Sequence, residues 1–133
     1  MANAVKKILI VEDEEMLSEM YQGIFKREGF QVFSAGSGQE ALDVAKTEKP
    51  DFILLDILLP DKNGIYFLQK RLDDPQIKSI PVVAFSNFDD AATREETFRL
   101  GANDYLIKTN YTPREIIEKV KKYIGQEDNK QQV

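Results

Sequence analysis

Cysteine and histidine are both absent from the sequence. Without cysteine there is no disulfide, no zinc thiolate site and no thiol nucleophile. Without histidine the chain has no imidazole base, no imidazole metal ligand and no phosphohistidine of its own. Much of the catalytic repertoire is thereby removed. No apolar stretch approaches the ~18 residues of a membrane span. Lys6 and Lys7 precede the run Ile8 to Val11, but acids follow at once from Glu12, which does not suit a secretory signal. A basic surplus is missing too, since 18 basic residues against 23 acidic ones leave a net charge of -5. Sequence-independent binding to nucleic acid or to an anionic membrane needs the opposite balance. Together these absences predict a soluble, cytoplasmic protein with no nucleic-acid or membrane partner.

What is present fits one domain. The chain has 133 residues and 42% hydrophobic content, close to the globular average. It shows no repeat and no low-complexity segment. Its organising stretch is Asp51 to Pro60, DFILLDILLP. Phe52 to Leu55 run straight into Asp56, and apolar residues resume behind it. A short continuous apolar run between prolines fits a strand buried on both faces, as in a parallel sheet. A carboxylate at the tip of such a strand is costly unless the site uses it.

The other elements follow from local pattern. Ile8 to Val11 is a second short apolar run ending in acids. Met16, Leu17, Met20, Tyr21, Ile24 and Phe25 have helical spacing, and Gly29 suits the end of that helix. Phe30 to Ser34 alternates as a half-buried strand. Ser37 to Glu40 reads as a capping box for a helix burying Ala41, Leu42 and Ala45. Asp61 to Gly64 is a turn, Ile65 to Leu72 a third helix, and Asp73-Asp74-Pro75 its stop. Pro81 to Phe85 is another buried strand, delivering Ser86 and Asn87. Asp89 or Asp90 caps a helix to Leu100, whose apolar supply is little more than Ala91, Ala92, Phe98 and Leu100. That helix is expected to be the least firmly held. Asp104 to Ile107 is the last strand, ending at Lys108. Thr112 to Glu115 combines a capping box with proline at its first turn, opening a helix with Ile116, Ile117, Val120, Tyr123 and Ile124 on one face. Gly125 ends it.

Five alternations of strand and helix predict a doubly wound parallel α/β sheet with two helices on one face and three on the other. In the flavodoxin-like (βα)5 order 2-1-3-4-5, the site lies at the carboxyl ends of the strands, where the order reverses. Glu12, Asp13, Asp56, Ser86 and Lys108 would all fall on that edge. Three carboxylates together call for a compensating cation, and an all-oxygen ligand set suits Mg2+. Asp13, Glu12, Asp56 and the backbone carbonyl of Leu58 are the assigned ligands. With the metal bound, Asp56 can attack phosphorus and form an aspartyl phosphate held by Lys108 and Ser86.

At this point the residues resemble a family. VEDE at Val11 to Glu14, LLDILLP at Leu54 to Pro60, Gly64, AFS at Ala84 to Ser86 and DYLIK at Asp104 to Lys108 look like a response-regulator receiver domain. No single motif is specific, but the ordered set is, and it covers nearly the whole chain. The resemblance implies a receiver domain over residues 1–125 and a polar tail over 126–133, with no output domain behind it. It implies transfer from the phosphohistidine of a sensor histidine kinase or histidine phosphotransfer protein to Asp56. It also implies a switch in which Ser86 moves toward the phosphoryl group and Tyr105 turns inward, altering the surface of the fourth helix, fifth strand and fifth helix for a downstream partner. The only catalysis expected is of the chain's own phosphorylation and dephosphorylation.

The chain departs from the family pattern in places. Thr109 follows Lys108 where the family usually has proline after a cis bond, and a cis bond without proline costs roughly 2.5–4 kcal/mol. A trans bond that turned the ammonium away from Asp56 would remove the role of Lys108. Asn87 stands where the family prefers a very small residue. Leu58 and Phe88 flank access to the phosphoryl group and are expected to hinder attacking water.

Taken singly, each of these residues has an ordinary explanation. Glu12 and Asp13 could be a solvated helix cap, Ser86 a turn hydroxyl, Tyr105 core and Lys108 a strand end. Their common order on one edge is what favours the phosphoacceptor. Two rivals share the architecture. A phosphohydrolase that forms an aspartyl phosphate wants a second carboxylate two residues after the nucleophile, and Leu58 cannot move a proton. A flavin or nucleotide module wants a glycine-rich or hydroxyl-rich loop where this chain has EDEE. A constitutive interaction module of the same fold would have no use for the full set of acids with Ser86 and Lys108.

Overall fold

A computed structural model describes residues 5–59, 64–87 and 89–124. Five parallel strands form one sheet: β1 Lys7–Val11, β2 Gln31–Ala35, β3 Phe52–Asp56, β4 Val82–Ser86 and β5 Asp104–Ile107, in the order β2-β1-β3-β4-β5. Between them run α1 Glu15–Arg27, α2 Gly38–Glu48, α3 Gly64–Arg71 and α4 Ala91–Arg99, and α5 Pro113–Tyr123 follows β5. All five residues of β3 are buried, as are all five of β4, so the two strands that carry Asp56 and Ser86 lie inside the molecule.

Alternation along the strands divides the core into two layers. Leu9, Ile53, Leu55 and Ala84 pack with Ala41, Leu42 and Ala45 of α2 and Phe67 and Leu68 of α3. Ile8, Ile10, Phe52, Leu54 and Phe85 pack on the opposite face with Tyr21 and Phe25 of α1 and Ile116, Ile117 and Val120 of α5. This is the expected arrangement of two helices against three.

Most helix ends are set by the predicted residues. Gly29 has φ +99 and closes α1, with Phe30 N–H donating to Phe25 O and Gly29 N–H to Lys26 O. Both arms of the Thr112–Glu115 box are made, at 2.8 and 3.2 Å. The Ser37 box is only half made. Ser37 Oγ accepts from Glu40 N–H, while the Glu40 carboxylate accepts from Gly36 N–H instead of Ser37.

The sparse apolar supply of α4 is matched by its burial: Ala91, Ala92 and Phe98 are exposed, Leu100 is buried just past the helix, and within it only Thr97 is buried. Two expectations need correction. Met16 is 83% exposed and Met20 is also exposed, so α1 buries Ser18, Tyr21 and Phe25 and leaves both methionines outside. The edge strand β2 is not covered on one face alone, because Val32 packs into one layer and Phe33 into the other. The turn before Gly64 (61–63), the stop at Gly125, the tail and Phe88 lie outside the described residues.

Candidate functional site

Each functional side chain sits where a strand ends. β1 delivers Glu12 and Asp13, β3 ends on Asp56, β4 ends on Ser86, and β5 leads into the short 3-10 turn Lys108–Asn110. Because β1, β3, β4 and β5 run parallel and consecutively in the sheet, these ends share one edge. They line a single open cleft of about 230 Å³ with Leu58 and Asn87. Five residues singled out from sequence are thus brought together: Glu12, Asp13, Asp56, Ser86 and Lys108.

The acids are held differently. One carboxylate oxygen each from Glu12, Asp13 and Asp56 lies within 4.8 Å of the others. Glu12 and Asp56 are buried and Asp13 is exposed. Lys108 Nζ donates to Glu12 Oε1 at 2.9 Å and to Asp56 Oδ2 at 3.2 Å. The remaining oxygens accept from backbone: Glu14 N–H donates to Glu12 Oε2, and Leu58 N–H to Asp56 Oδ1. Burial raises the Glu12 pKa, against the lowering by Lys108, and the Asp56 charge adds to the rise. Burial alone would lower the Lys108 pKa, but the Glu12 and Asp56 carboxylates outweigh it and the net shift is upward. Two buried carboxylates thus share one ammonium, with the exposed Asp13 carboxylate beside them. The donor set, all oxygen and short of positive charge, fits a hard divalent cation.

No peptide bond among the described residues is cis, so the 108–109 bond is trans. The ammonium nevertheless points at Asp56. The lysine keeps its place without the backbone feature that Thr109 removes.

Ser86 and Tyr105 form a second group on the other side of the strand ends. Tyr105 is buried in the layer facing α2 and α3. A hydrogen bond joins its phenol to Ser86, and burial raises its pKa. The Arg94 guanidinium of α4 lies 5.6 Å from the Tyr105 ring centroid. Tyr105 is therefore already turned inward here. Leu58 is 52% exposed at the mouth of the cleft and Asn87 is exposed beside it.

Two buried residues carry no sequence signal, one at this edge and one at the far end of α3. Phe85, inside an apolar strand, places its ring 4.7 Å from Lys108 Nζ. Arg71 is fully buried, donating to Lys78 O and Leu100 O.

Residues 8–121 match the family described as the response regulator receiver domain. The chain belongs to that family. A curated relative, the polar-differentiation response regulator DivK of Brucella ovis, is 34% identical over 120 residues, covering 90% of this chain and 97% of its own. A putative response regulator from Chloroflexus aurantiacus superposes with TM-score 0.82 at 28% identity, over 92% of this chain and 99% of that one. A CheY-like receiver domain protein from Methanospirillum hungatei gives TM-score 0.84 at 26% identity, over 96% and 99%. The receiver domain is a signalling switch of two-component or phosphorelay systems, working with histidine kinases and downstream targets, and its fold is the flavodoxin-like one found here. Among the described residues no helix is long and apolar enough to cross a membrane.

Proposed function

We propose that Asp56 is the phosphoacceptor of this receiver domain. The observation that carries this reading is a strand-end carboxylate clustered with two other acids and contacted by a lysine 52 positions away. The phosphoryl donor is a phosphohistidine on a sensor histidine kinase or a histidine phosphotransfer protein. An Asp56 oxygen attacks phosphorus, the P–O bond forms as the P–N bond breaks, and the imidazole leaves with that electron pair, regaining a proton from solvent. Glu12, Asp13, Asp56 and the Leu58 carbonyl would hold Mg2+, which when bound neutralises charge developing on the phosphoryl oxygens. Lys108 offers the same oxygens an ammonium, and Ser86 offers a hydroxyl. Hydrolysis of the acyl phosphate restores Asp56, so the chain acts only on itself.

The switch follows from competition for Ser86. Its hydroxyl bonds to Tyr105, which packs under Arg94 of α4. A phosphoryl group on Asp56 draws that hydroxyl away and releases Tyr105 from its partner. The surface of α4, β5 and α5 then changes for a downstream protein. We place the receiver unit at residues 1–125 with 126–133 as a polar tail, and the family match lies within the first range.

The test is intact mass after incubation with a small-molecule phosphoryl donor and Mg2+. One phosphoryl group should appear in the wild-type chain and none in Asp56→Asn. A gain that survives in Asp56→Asn, or steady turnover of a phosphomonoester, would contradict the proposal.

A further inference from the structure

The position of Lys108 raises a question that its two carboxylate partners do not answer. Glu12 is a proposed ligand of the divalent cation, so a metal draws on the same carboxylate that takes the shorter bond from Lys108. Asp56 changes identity when it is phosphorylated. Neither partner is constant through the cycle, and the backbone offers no proline after Lys108. A third contact involves neither carboxylate. Phe85 is fully buried, and the Lys108 ammonium lies 4.7 Å from its ring centroid.

The fold places this ring with some exactness. Phe85 is the direct cross-strand neighbour of Asp56 in the β3–β4 pairing. Alternation along the strand sends Phe85 to the α1/α5 layer and Ser86 to the other face. The ring is braced edge to face by Tyr21 of α1, with centroids 5.5 Å apart and an interplanar angle of 76°. The Phe85 carbonyl also accepts from Ile57 N–H, in the segment that leaves Asp56. A ring face is attractive to a cation, the more so where water is excluded, and the Lys108 side chain is only 11% exposed.

We propose that Phe85 is a positioning residue for Lys108, its ring face keeping the ammonium beside Asp56 in a chain whose lysine is followed by Thr109 instead of proline. It acts through Lys108 and touches no reacting atom. This rests on Asp56 as the phosphoacceptor, but the contact can be read separately from phosphorylation.

The first measurement is the NMR shift of the Lys108 side-chain methylenes in metal-free protein. Ring current should move them upfield in the wild-type chain, and Phe85→Leu should abolish the displacement. Wild-type methylenes at ordinary lysine positions would overturn the proposal without any variant. The second is the rate of aspartyl phosphate formation from a small-molecule donor. Phe85→Leu should slow it about tenfold, the rate equivalent of one buried cation–ring contact. Phe85→Tyr should recover most of that loss.

Because leucine could also loosen the core, a ring-fluorinated phenylalanine at position 85 provides a nearly isosteric control with a weakened π face. It should slow transfer while leaving the melting temperature unchanged. In a Lys108→Met background, Phe85→Leu should cause no further loss. Full rates with the fluorinated ring, or additive losses in the double variant, would overturn the proposal. If no acyl phosphate forms on the wild-type chain, the reading of Asp56 fails, and the methylene shifts still judge the Phe85 contact.

Discussion

Glu12 shares one ammonium with Asp56 while its own carboxyl is buried, and burial raises its pKa above the usual 4.5 despite the hydrogen bond from Lys108. A carboxyl shifted upward on folding favours the folded state while it is protonated. That contribution is complete below the unfolded value of 4.5 and is lost as pH rises through the raised one. Metal-free protein should therefore lose melting temperature across this window relative to Glu12→Gln, and parallel profiles for the two would count against it. Lys108, shifted upward, stays charged through the same range, so its pairing is constant there. Leu58 acts on kinetics instead. Its exposed side chain flanks the cleft, and Leu58→Asn should shorten the life of the aspartyl phosphate several-fold by admitting and orienting water. An unchanged decay of the acid-labile phosphoryl group would remove that role.

At the scale of elements, α3 and α4 show how the site is bordered. A Cβ on Gly64 would lie 2.8 Å from Asp56 O and from Ile57 Cα, so α3 begins in backbone contact with the loop behind Asp56. Gly64→Ala should cost about 1–3 kcal/mol in chemical denaturation and slow phosphorylation as well. The helix α4 is held at its ends more than along its length. Asp90 caps one end, Arg71 reaches Leu100 O at the other, and Thr97 is its only buried side chain. Its amides should exchange with solvent through openings well below the global unfolding free energy, while those of β3 and β4 should need nearly all of it. Equal protection would contradict the expectation that α4 is the least firmly held helix.

The weakness of α4 was legible in its sparse apolar residues, and so were the caps at Gly29, Thr112 and Asp90, because those signals are local. Other features were not. Met16 and Met20 carry helical spacing, yet that spacing does not say how far around α1 the sheet reaches. Arg71 reads as a surface cation at a helix end, yet it is buried with Lys78 O and Leu100 O as its partners. The Glu40 carboxylate turns to Gly36 because the chain bends back there.

The whole molecule brings together residues separated by up to 96 positions, as in the Lys108–Glu12 contact. Strand order does this; the parallel sheet and its two helix layers were readable from five alternations of strand and helix with right-handed connections, and the order itself came from the flavodoxin-like pattern. The identities of the strand-end residues were readable as well. What each one touches was not, since Lys108 could have faced solvent with its trans bond and without proline. Its aim at Asp56, and the Phe85 ring beneath it, emerge only when β3, β4 and β5 lie side by side.

The phosphoryl group should reside on one carboxylate. Protein incubated with a phosphoryl donor and Mg2+, then reduced with borohydride, converts an aspartyl phosphate to homoserine, which peptide mapping locates to a single residue. Homoserine at position 56, absent when a chelator replaces the metal, is the predicted result. Homoserine at another position, or none in protein that has gained a phosphoryl group, would contradict it.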